Sequence, residues 1–227
     1  MTGRRAMDIA AAALTVALLA AAWWVWRYGP TGPLPMHFDL HGRVDRWGDR
    51  NEAAAVIAAL ALLCGGLYAL IPAIARGATL TPPTRRAMVL GQVMVLPIFG
   101  FVGLMMTGVA AGLIRPGEDM TGVLRLTFAL ISAVLAATGA FLGKTTPNPV
   151  VGIKVYWTLT SRRAWEKSHR LLGRILFWGG LLALVASPFA PPLLILAIVL
   201  TSGVGGGLIS TFEAWRVWRS DPERTSI

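Results

Sequence analysis

Five long runs without a charged residue restrict this chain more than any other feature of its sequence. They cover residues 9–26, 53–75, 87–114, 126–143 and 175–212. A helix of about 20 apolar residues crosses the roughly 30 Å hydrocarbon core of a bilayer. Each of the first four runs therefore predicts one membrane-spanning helix.

The fifth run is too long for one crossing, and a proline cluster interrupts it. Pro188, Pro191 and Pro192 remove backbone donors and disfavour helix before them, so they predict a tight hairpin between two spans. The sequence thus predicts an all-α, polytopic integral membrane protein with six transmembrane helices. Only 14% of the 227 residues are charged and 55% are hydrophobic, which excludes a soluble globular enzyme.

The basic residues are distributed unevenly between the two predicted sides of the membrane. The formal charge is +10, and fifteen of the 21 Lys and Arg residues fall on the side that holds both termini. The positive-inside rule assigns that side to the cytoplasm. The net charge therefore indicates orientation, and we expect no direct contact with nucleic acid.

Three regions follow from these predicted spans. Residues 1–75 hold the first two helices and an extracytoplasmic loop at 29–51, which we name the outer loop. Residues 76–143 hold the third and fourth helices. Residues 144–227 hold a cytoplasmic loop at 144–174, named the inner loop, followed by the fifth and sixth helices and a basic tail. We interpret the first helix as a retained anchor, because it ends in Trp residues typical of a membrane interface.

The outer loop concentrates histidines and carboxylates. In an extended chain His37, Asp39 and His41 would share one face. In a helix, His37, His41 and Asp45 would do so, and two His with one Asp are the ligands of an open zinc site. The alternative is a solvated turn in which Gly42 bends the chain and the two aspartates cap it.

The inner loop contains a predicted helix that begins after Ser161 and merges into the fifth span. Glu166 is placed to pair with Arg170 one turn later. One stripe of the helix is formed by Trp165, His169, Leu172 and Leu176.

Two interpretations of this helix remain open. It is either a positive-inside stop with a lipid-facing stripe in the inner headgroup region, or a docking surface for a cytoplasmic protein or an anionic lipid. We expect His169 to be a hydrogen-bonded interfacial residue, because no Ser, Cys or carboxylate is positioned with it as a triad. No catalytic residue, enzymatic activity or cofactor is therefore predicted.

The inner loop resembles the SdpI family, bacterial membrane proteins named for an immunity protein against a secreted peptide toxin. The outer loop is similar to a small domain of unknown function that commonly precedes the SdpI region. The inner motif comprises Asn148, Pro149, Gly152, Ile153, Lys154, Trp157, Thr158, Leu159, Ser161, Trp165, Lys167, His169, Arg170 and Gly173; the outer motif comprises Pro35, His37, Phe38, Gly42, Asp45 and Arg50.

The inner motif departs from the family pattern at three places. Lys154 stands where Arg is usual, which keeps the charge and loses the bidentate fork of a guanidinium. Val155-Tyr156 replaces the usual Thr-Pro, and Ser168 replaces Thr.

The resemblance implies a multi-pass immunity and signal-transduction protein of the bacterial inner membrane. Its implied partners, besides the lipid bilayer, are a secreted membrane-active peptide toxin outside and a transcriptional repressor held inside. One alternative is a metal-binding extracytoplasmic sensor or enzyme built on His37, Asp39, His41 and Asp45. A second is a small-solute or lipid transporter, which the absence of ionisable residues near the centres of the spans disfavours. The glycines at 203, 205, 206 and 207 are interpreted as a close helix contact.

Overall fold

The computed structural model describes residues 2–75, 80–114, 120–148 and 150–225. In these ranges, six helical stretches are long and apolar enough to cross a membrane, which confirms the predicted all-α polytopic fold. The elements in chain order are α1 (Thr2–Tyr28), β1 (Leu34–Phe38), β2 (Val44–Gly48), α2 (Arg50–Ile74), α3 (Pro82–Ala110), α4 (Met120–Leu142), α5 (Tyr156–Thr160), α6 (Arg162–Ala186), α7 (Pro192–Leu200), a π-helical turn (Thr201–Gly205) and α8 (Gly206–Arg219).

Large apolar side chains point outward along these helices. Leu62 of α2, Leu104 of α3 and Leu208 of α8 are each more than 60% exposed. Such extensive apolar surface is rare on a soluble monomer and is expected of helices whose outer faces contact lipid.

The chain folds into two compact units. The first comprises Met1–Leu70 and Gln92–Arg125, and the second comprises Ile71–Gly91 and Leu126–Ile227. In the first unit, Leu18 and Val25 of α1 pack with Ile57 of α2. In the second, Leu142 of α4 packs with Leu172 and Leu176 of α6.

The predicted proline hairpin between the last two spans is confirmed. Helix α6 ends at Ala186, and α7 begins at Pro192, with Pro191 in the capping position before it. Proline suits the first turn of a helix because the N–H that it lacks has no helical partner there. The π-helical turn then joins α7 and α8 into one stretch from Pro192 to Arg219.

The outer loop contains a β-hairpin that the all-α expectation did not include. Strands β1 and β2 pair antiparallel, with Leu34 opposite Gly48 and Phe38 opposite Val44. Gly42 adopts a φ of 77° in the turn, a conformation that glycine tolerates best. The helix considered for His37, His41 and Asp45 is therefore not formed: His37 lies on β1, whereas Asp39 and His41 lie in the glycine turn of the alternative interpretation.

Helices α4 and α6 of the second unit approach each other through glycines. A Cβ added to Gly173 would lie 2.9 Å from the carbonyl oxygen of Gly139 and 3.1 Å from the backbone nitrogen of Gly143. One added to Gly180 would lie 2.5 Å from the backbone nitrogen of Ala136. The two backbones therefore meet without intervening side chains, as small residues permit between membrane helices.

The glycine cluster in the last span makes the predicted close helix contact only in part. A Cβ at Gly206 would lie 2.7 Å from Cγ2 of Ile175 on α6, so Gly206 does make a close helix contact. A Cβ at Gly203 or Gly207 would have no neighbour within 4 Å. The predicted contact is wrong for those two positions, which face open space. A Cβ at Gly205 would meet only Thr201 of the same helical stretch, at 3.8 Å.

Candidate functional site

The start of α6 has the local structure that its sequence predicts. The Oγ atom of Ser161 accepts a hydrogen bond from the N–H of Ala164 at 2.9 Å, so Ser161 is the N-cap. Glu166 forms the predicted ion pair with Arg170 and a second one with Arg162, each at 3.1 Å. Helix α6 then continues without a break into the fifth span.

Trp165 and His169 form a stacked pair on the buried face of α6. Both side chains are fully buried, and their ring centroids lie 3.9 Å apart. The indole Nε1 of Trp165 donates a hydrogen bond to the carbonyl oxygen of Thr145 at 2.9 Å. The interpretation of a lipid-facing stripe is therefore wrong, because residues 145–148 and 150–153, which precede α5 in the inner loop, cover these two rings.

Both ring nitrogens of His169 bond to backbone groups. The N–H of Ile153 donates to Nε2 at 2.9 Å, and Nδ1 lies 2.8 Å from the carbonyl oxygen of Trp165. Since Nε2 accepts a hydrogen bond, the proton is on Nδ1, and the neutral imidazole satisfies both partners. His169 thus holds the segment around Ile153, in the first part of the inner loop, against α6. This role explains a buried polar ring at this position.

Gly152 makes this seating possible. Its φ of 128° is a conformation that residues with a Cβ rarely adopt. A Cβ at this position would also lie 3.0 Å from Cδ2 of His169 and 3.0 Å from Cη2 of Trp165. Backbone conformation and close approach therefore both require glycine here.

Asn148 organises the bend that precedes Gly152. Its Oδ1 atom accepts from the N–H groups of Val150 and Val151, at 2.9 and 2.7 Å. Its Nδ2 atom donates to the carbonyl oxygens of Thr146 and Val151, at 2.8 and 3.0 Å. One buried side chain therefore makes four backbone hydrogen bonds and fixes the loop as an Asx-type turn.

Thr158 performs the same task on α5. Its hydroxyl lies 2.7 Å from the carbonyl oxygen of Ile153, to which it donates, and accepts from the N–H of Val155 at 3.2 Å. Trp157, beside it, is half-buried. Lys154 is exposed, and its Nζ lies 3.1 Å from the carbonyl oxygen of Val150.

Within the predicted inner motif the structure distinguishes a buried group and an exposed group, with the half-buried Trp157 between them. Asn148, Gly152, Thr158, Trp165 and His169 interlock in one buried network that shapes the loop. Lys154 and Arg170 lie at the surface, where they are accessible to partners. Pro149 lies outside the described residues.

A threonine pair at the start of α3 is part of the same assembly, and the motif analysis missed it; Thr81 directly precedes the helix and Thr84 lies in its first turn. Thr84 is fully buried, and its Oγ1 accepts from the N–H of Thr146 at 3.0 Å. The hydroxyl of Thr81 lies 3.2 Å from that of Thr146. The two residues are about sixty positions from the loop, and a lone Thr at a helix start carries no signal for such a distant partner.

The C-terminal tail is a further unpredicted component of the site. The hydroxyl of Ser161 donates to Oδ2 of Asp221 at 2.5 Å, and the N–H of Thr225 donates to the carbonyl oxygen of Thr160 at 3.0 Å. The hydrogen bond from Ser161 lowers the pKa of the Asp221 carboxyl below its ordinary value, and nearby Arg163 and Arg224 act in the same direction. The ionised side chain of Asp221 therefore binds the tail to the α5–α6 junction.

The outer motif forms two separate histidine–aspartate pairs. His37 Nδ1 lies 2.6 Å from Asp45 Oδ1 across the hairpin, whereas His41 Nδ1 lies 3.6 Å from Asp39 Oδ2 in the turn. Pro35 lies on β1, opposite Trp47 of β2. Across the described ranges, no three His, Cys, Asp or Glu side chains converge on a possible metal position. The structure therefore does not assemble the ligand set proposed for His37, His41 and Asp45.

Asp39 instead has the capping role that the alternative interpretation gave it. Its Oδ1 accepts from the N–H groups of Arg43 and His41, at 2.9 and 2.8 Å. These hydrogen bonds, that from Arg43 first, lower the pKa of the Asp39 carboxyl. Asp45 does not cap the turn and pairs with His37 across it.

The fold and this interlocked loop define a polytopic helical membrane protein whose C-terminal region is built around a buried Trp–His pair. Comparison with protein families gives the region its name: residues 144–211 match the SdpI/YfhL protein family. The resemblance of the inner loop is thereby confirmed, and this part of the chain is an SdpI-type region. No curated protein and no solved structure matches the chain. The similarity of the outer loop to a preceding domain stays a prediction.

Proposed function

We propose that the protein is a non-enzymatic immunity protein that protects a bacterial cytoplasmic membrane against a secreted membrane-active peptide. The observation that carries the proposal is the family match at residues 144–211, which coincides with the interlocked inner loop and α6. The buried Trp165 and His169 have only structural partners among the described residues, which favours a recognition or scaffold role over catalysis.

We further propose that α5 and the start of α6 dock a cytoplasmic transcriptional repressor. Tyr156 and Leu159 are 46% and 56% exposed on α5. Arg162 and Arg163 are exposed directly after them. An apolar patch bordered by cations suits a protein surface that combines apolar and acidic residues.

Survival under peptide challenge tests the immunity proposal. Cells with and without the protein are exposed to a panel of cationic and amphipathic peptides, and we expect expression to raise the lethal concentration of at least one. Equal survival across the panel would contradict the proposal. Gly152→Ala should abolish the protection, because the added Cβ displaces the inner loop from His169 and Trp165. Gly207→Ala is the matched control, since its Cβ meets nothing within 4 Å.

Recruitment to membranes tests the docking proposal separately. Transcriptional repressors encoded beside this gene are sought, each is tagged, and its distribution between membrane and soluble fractions is measured; the absence of such a gene would contradict the proposal. We expect Leu159→Asp to release it, because the substitution puts a charge into the apolar patch. Gly32→Asp, at an exposed position of the outer loop where an added Cβ meets nothing within 4 Å, serves as the control for a charge introduced elsewhere outside the membrane. Retention by the Leu159 variant at wild-type expression would exclude α5 as the docking surface.

A further inference from the structure

A basic groove runs between α4 and α6 of the second unit, apart from the buried loop network. It is a cavity of about 700 Å³. Gly139, Gly143 and Gly173 form its floor, where the two backbones are in contact. Its remaining walls are formed by Ala140, Lys144, Arg170, Arg174, Phe177 and Trp178.

The charged end of the groove is held in place by backbone packing. A Cβ at Gly143 would lie 3.1 Å from Cα of Arg170, so the end of α4 is fixed beside α6 at that level. Lys144 follows directly and lies 5.6 Å from the ring centroid of Phe141. Arg174 is one helical turn beyond Arg170, which brings three cations to one end of the groove.

These cations exceed the negative charge available to them. Arg170 shares Glu166 with Arg162. Within the part of the chain that the structure describes, neither Lys144 nor Arg174 has a carboxylate within 4.0 Å. The groove therefore has an excess of positive charge that an anion would neutralise.

The uncharged part of α6 is short, so we compare its length with the thickness of the hydrocarbon core to place Arg170 and Arg174. From Ile175 to the end of α6 at Ala186 the helix has twelve residues, which extend about 18 Å. That length is well short of the roughly 30 Å hydrocarbon core. With Ala186 at the outer edge of the core, Arg170 and Arg174 would lie near its inner boundary, where snorkelling, local thinning or an anionic headgroup can compensate their charge.

The other end of the groove is apolar and open to the surrounding lipid. Phe177 and Trp178 pack edge to face with centroids 5.1 Å apart, and Trp178 is 64% exposed. Trp178 lies one turn below Arg174, about 6 Å deeper along the helix. A charged end above an aromatic end matches a molecule with an anionic head and an aliphatic tail.

We propose that this groove binds an anionic phospholipid, with the headgroup phosphate on Lys144, Arg170 and Arg174 and the first methylenes of an acyl chain against Phe177 and Trp178. The groove has the form of a basic pocket between transmembrane helices, a type of site that selects anionic headgroups. The lipid would supply the counter-charge that α6 lacks.

Titration of the purified full chain tests this site. The protein in neutral detergent is titrated with phosphatidylglycerol or with phosphatidylcholine, and bound lipid is counted by native mass spectrometry. We expect selective binding of phosphatidylglycerol. Lys144→Gln with Arg174→Gln should weaken it about 25-fold, at about fivefold for each basic residue. Arg85→Gln with Arg86→Gln removes the same charge from exposed positions on α3 and should change the affinity by less than about twofold.

Two further arms separate the groove from general surface charge and from soluble anions. Ala140→Phe fills the groove without changing its charge and should reduce phosphatidylglycerol binding as well. Glycerol phosphate has the phosphate headgroup but no acyl chain. At the concentration at which phosphatidylglycerol saturates the groove, it should not displace the bound lipid. Equal binding of both lipids, equal loss in the α3 control, or full competition by glycerol phosphate would each overturn the proposal.

Discussion

Ser161 Oγ lies 2.5 Å from Oδ2 of Asp221, although the two residues are sixty positions apart. The same hydroxyl accepts the N–H of Ala164, so one side chain caps α6 and holds the C-terminal tail. Both residues are buried. The first turn of α6 and the end of the chain are therefore joined at a single hydroxyl, beside the network around His169.

Substitutions at the two ends of this hydrogen bond should have different effects. Asp221→Ala removes the tail contact and leaves the cap of α6 intact. Ser161→Ala removes both, and the lost cap should cost a further ~1 kcal/mol of stability. Thermal unfolding in detergent measures the difference, and proteolysis of residues 220–225 reports release of the tail. Equal unfolding temperatures for the two variants would show that Ser161 does not cap α6.

The same contact should respond to acid. Since the pKa of Asp221 is lowered in the folded protein, its contribution is fully present above the ordinary value of 3.8 and is lost as pH falls through the lowered value. Hydrogen exchange at Thr225, whose N–H bonds to Thr160, should therefore accelerate below pH 3.8. In the Asp221→Asn variant, the Thr225 amide hydrogen should exchange rapidly at every pH. A wild-type rate that does not change with pH, after correction for intrinsic exchange, would contradict this assignment.

His169→Phe isolates the hydrogen bonds of the imidazole from its packing. A phenyl ring still stacks on Trp165, but it cannot accept the N–H of Ile153, and an unsatisfied buried donor costs roughly 1–3 kcal/mol. We expect lower stability and faster hydrogen exchange at residues 150–154. Lys167→Gln, on the exposed face of the same helix, controls for substitution in α6. Unchanged exchange in the Phe variant would show that His169 does not hold the loop.

Features set by local sequence were predicted well. The uncharged runs predicted the six spans, the prolines predicted the hairpin before Pro192, and Ser161 predicted the start of α6; the structure has all three. Each depends on residues within a few positions of one another, so the pattern is visible in the sequence. The pairing of Glu166 with Arg170 belongs to the same class.

Features set by distant contacts were not predicted. The sequence indicated the stripe through Trp165 and His169 but not its burial. The burial depends on Gly152, whose positive φ lets the backbone pass close to both rings. The tail contact at Asp221 and the Thr84 contact with the loop join residues about sixty positions apart. A hydrophobic stripe on a membrane helix is equally compatible with lipid and with protein, so its partner cannot be read from spacing alone.

The contact between α4 and α6 should not tolerate a methyl group. In Gly180→Ala the new Cβ would lie 2.5 Å from the backbone nitrogen of Ala136 and 2.8 Å from the carbonyl oxygen of Ser132. Because both neighbours are backbone atoms, the helices must separate, at a cost of about 1–3 kcal/mol. Gly203→Ala, whose Cβ has open space, should leave the unfolding temperature unchanged. Equal stability of the two variants would exclude the glycine-mediated contact.

The predicted orientation can be measured with cysteine labelling because the native thiol is shielded. Cys64 is fully buried in α2, so Cys64→Ala provides an unreactive background. Gly32→Cys places a thiol at an exposed position before β1, and Glu223→Cys places one at an exposed position in the tail. Fifteen of the 21 basic residues fall on the side of the tail, so the positive-inside rule puts Glu223 in the cytoplasm and Gly32 outside. An impermeant maleimide added to intact cells should label the Gly32 variant, and the Glu223 variant should react only after lysis. The reverse pattern would invert the topology and place the SdpI-type inner loop outside the cell.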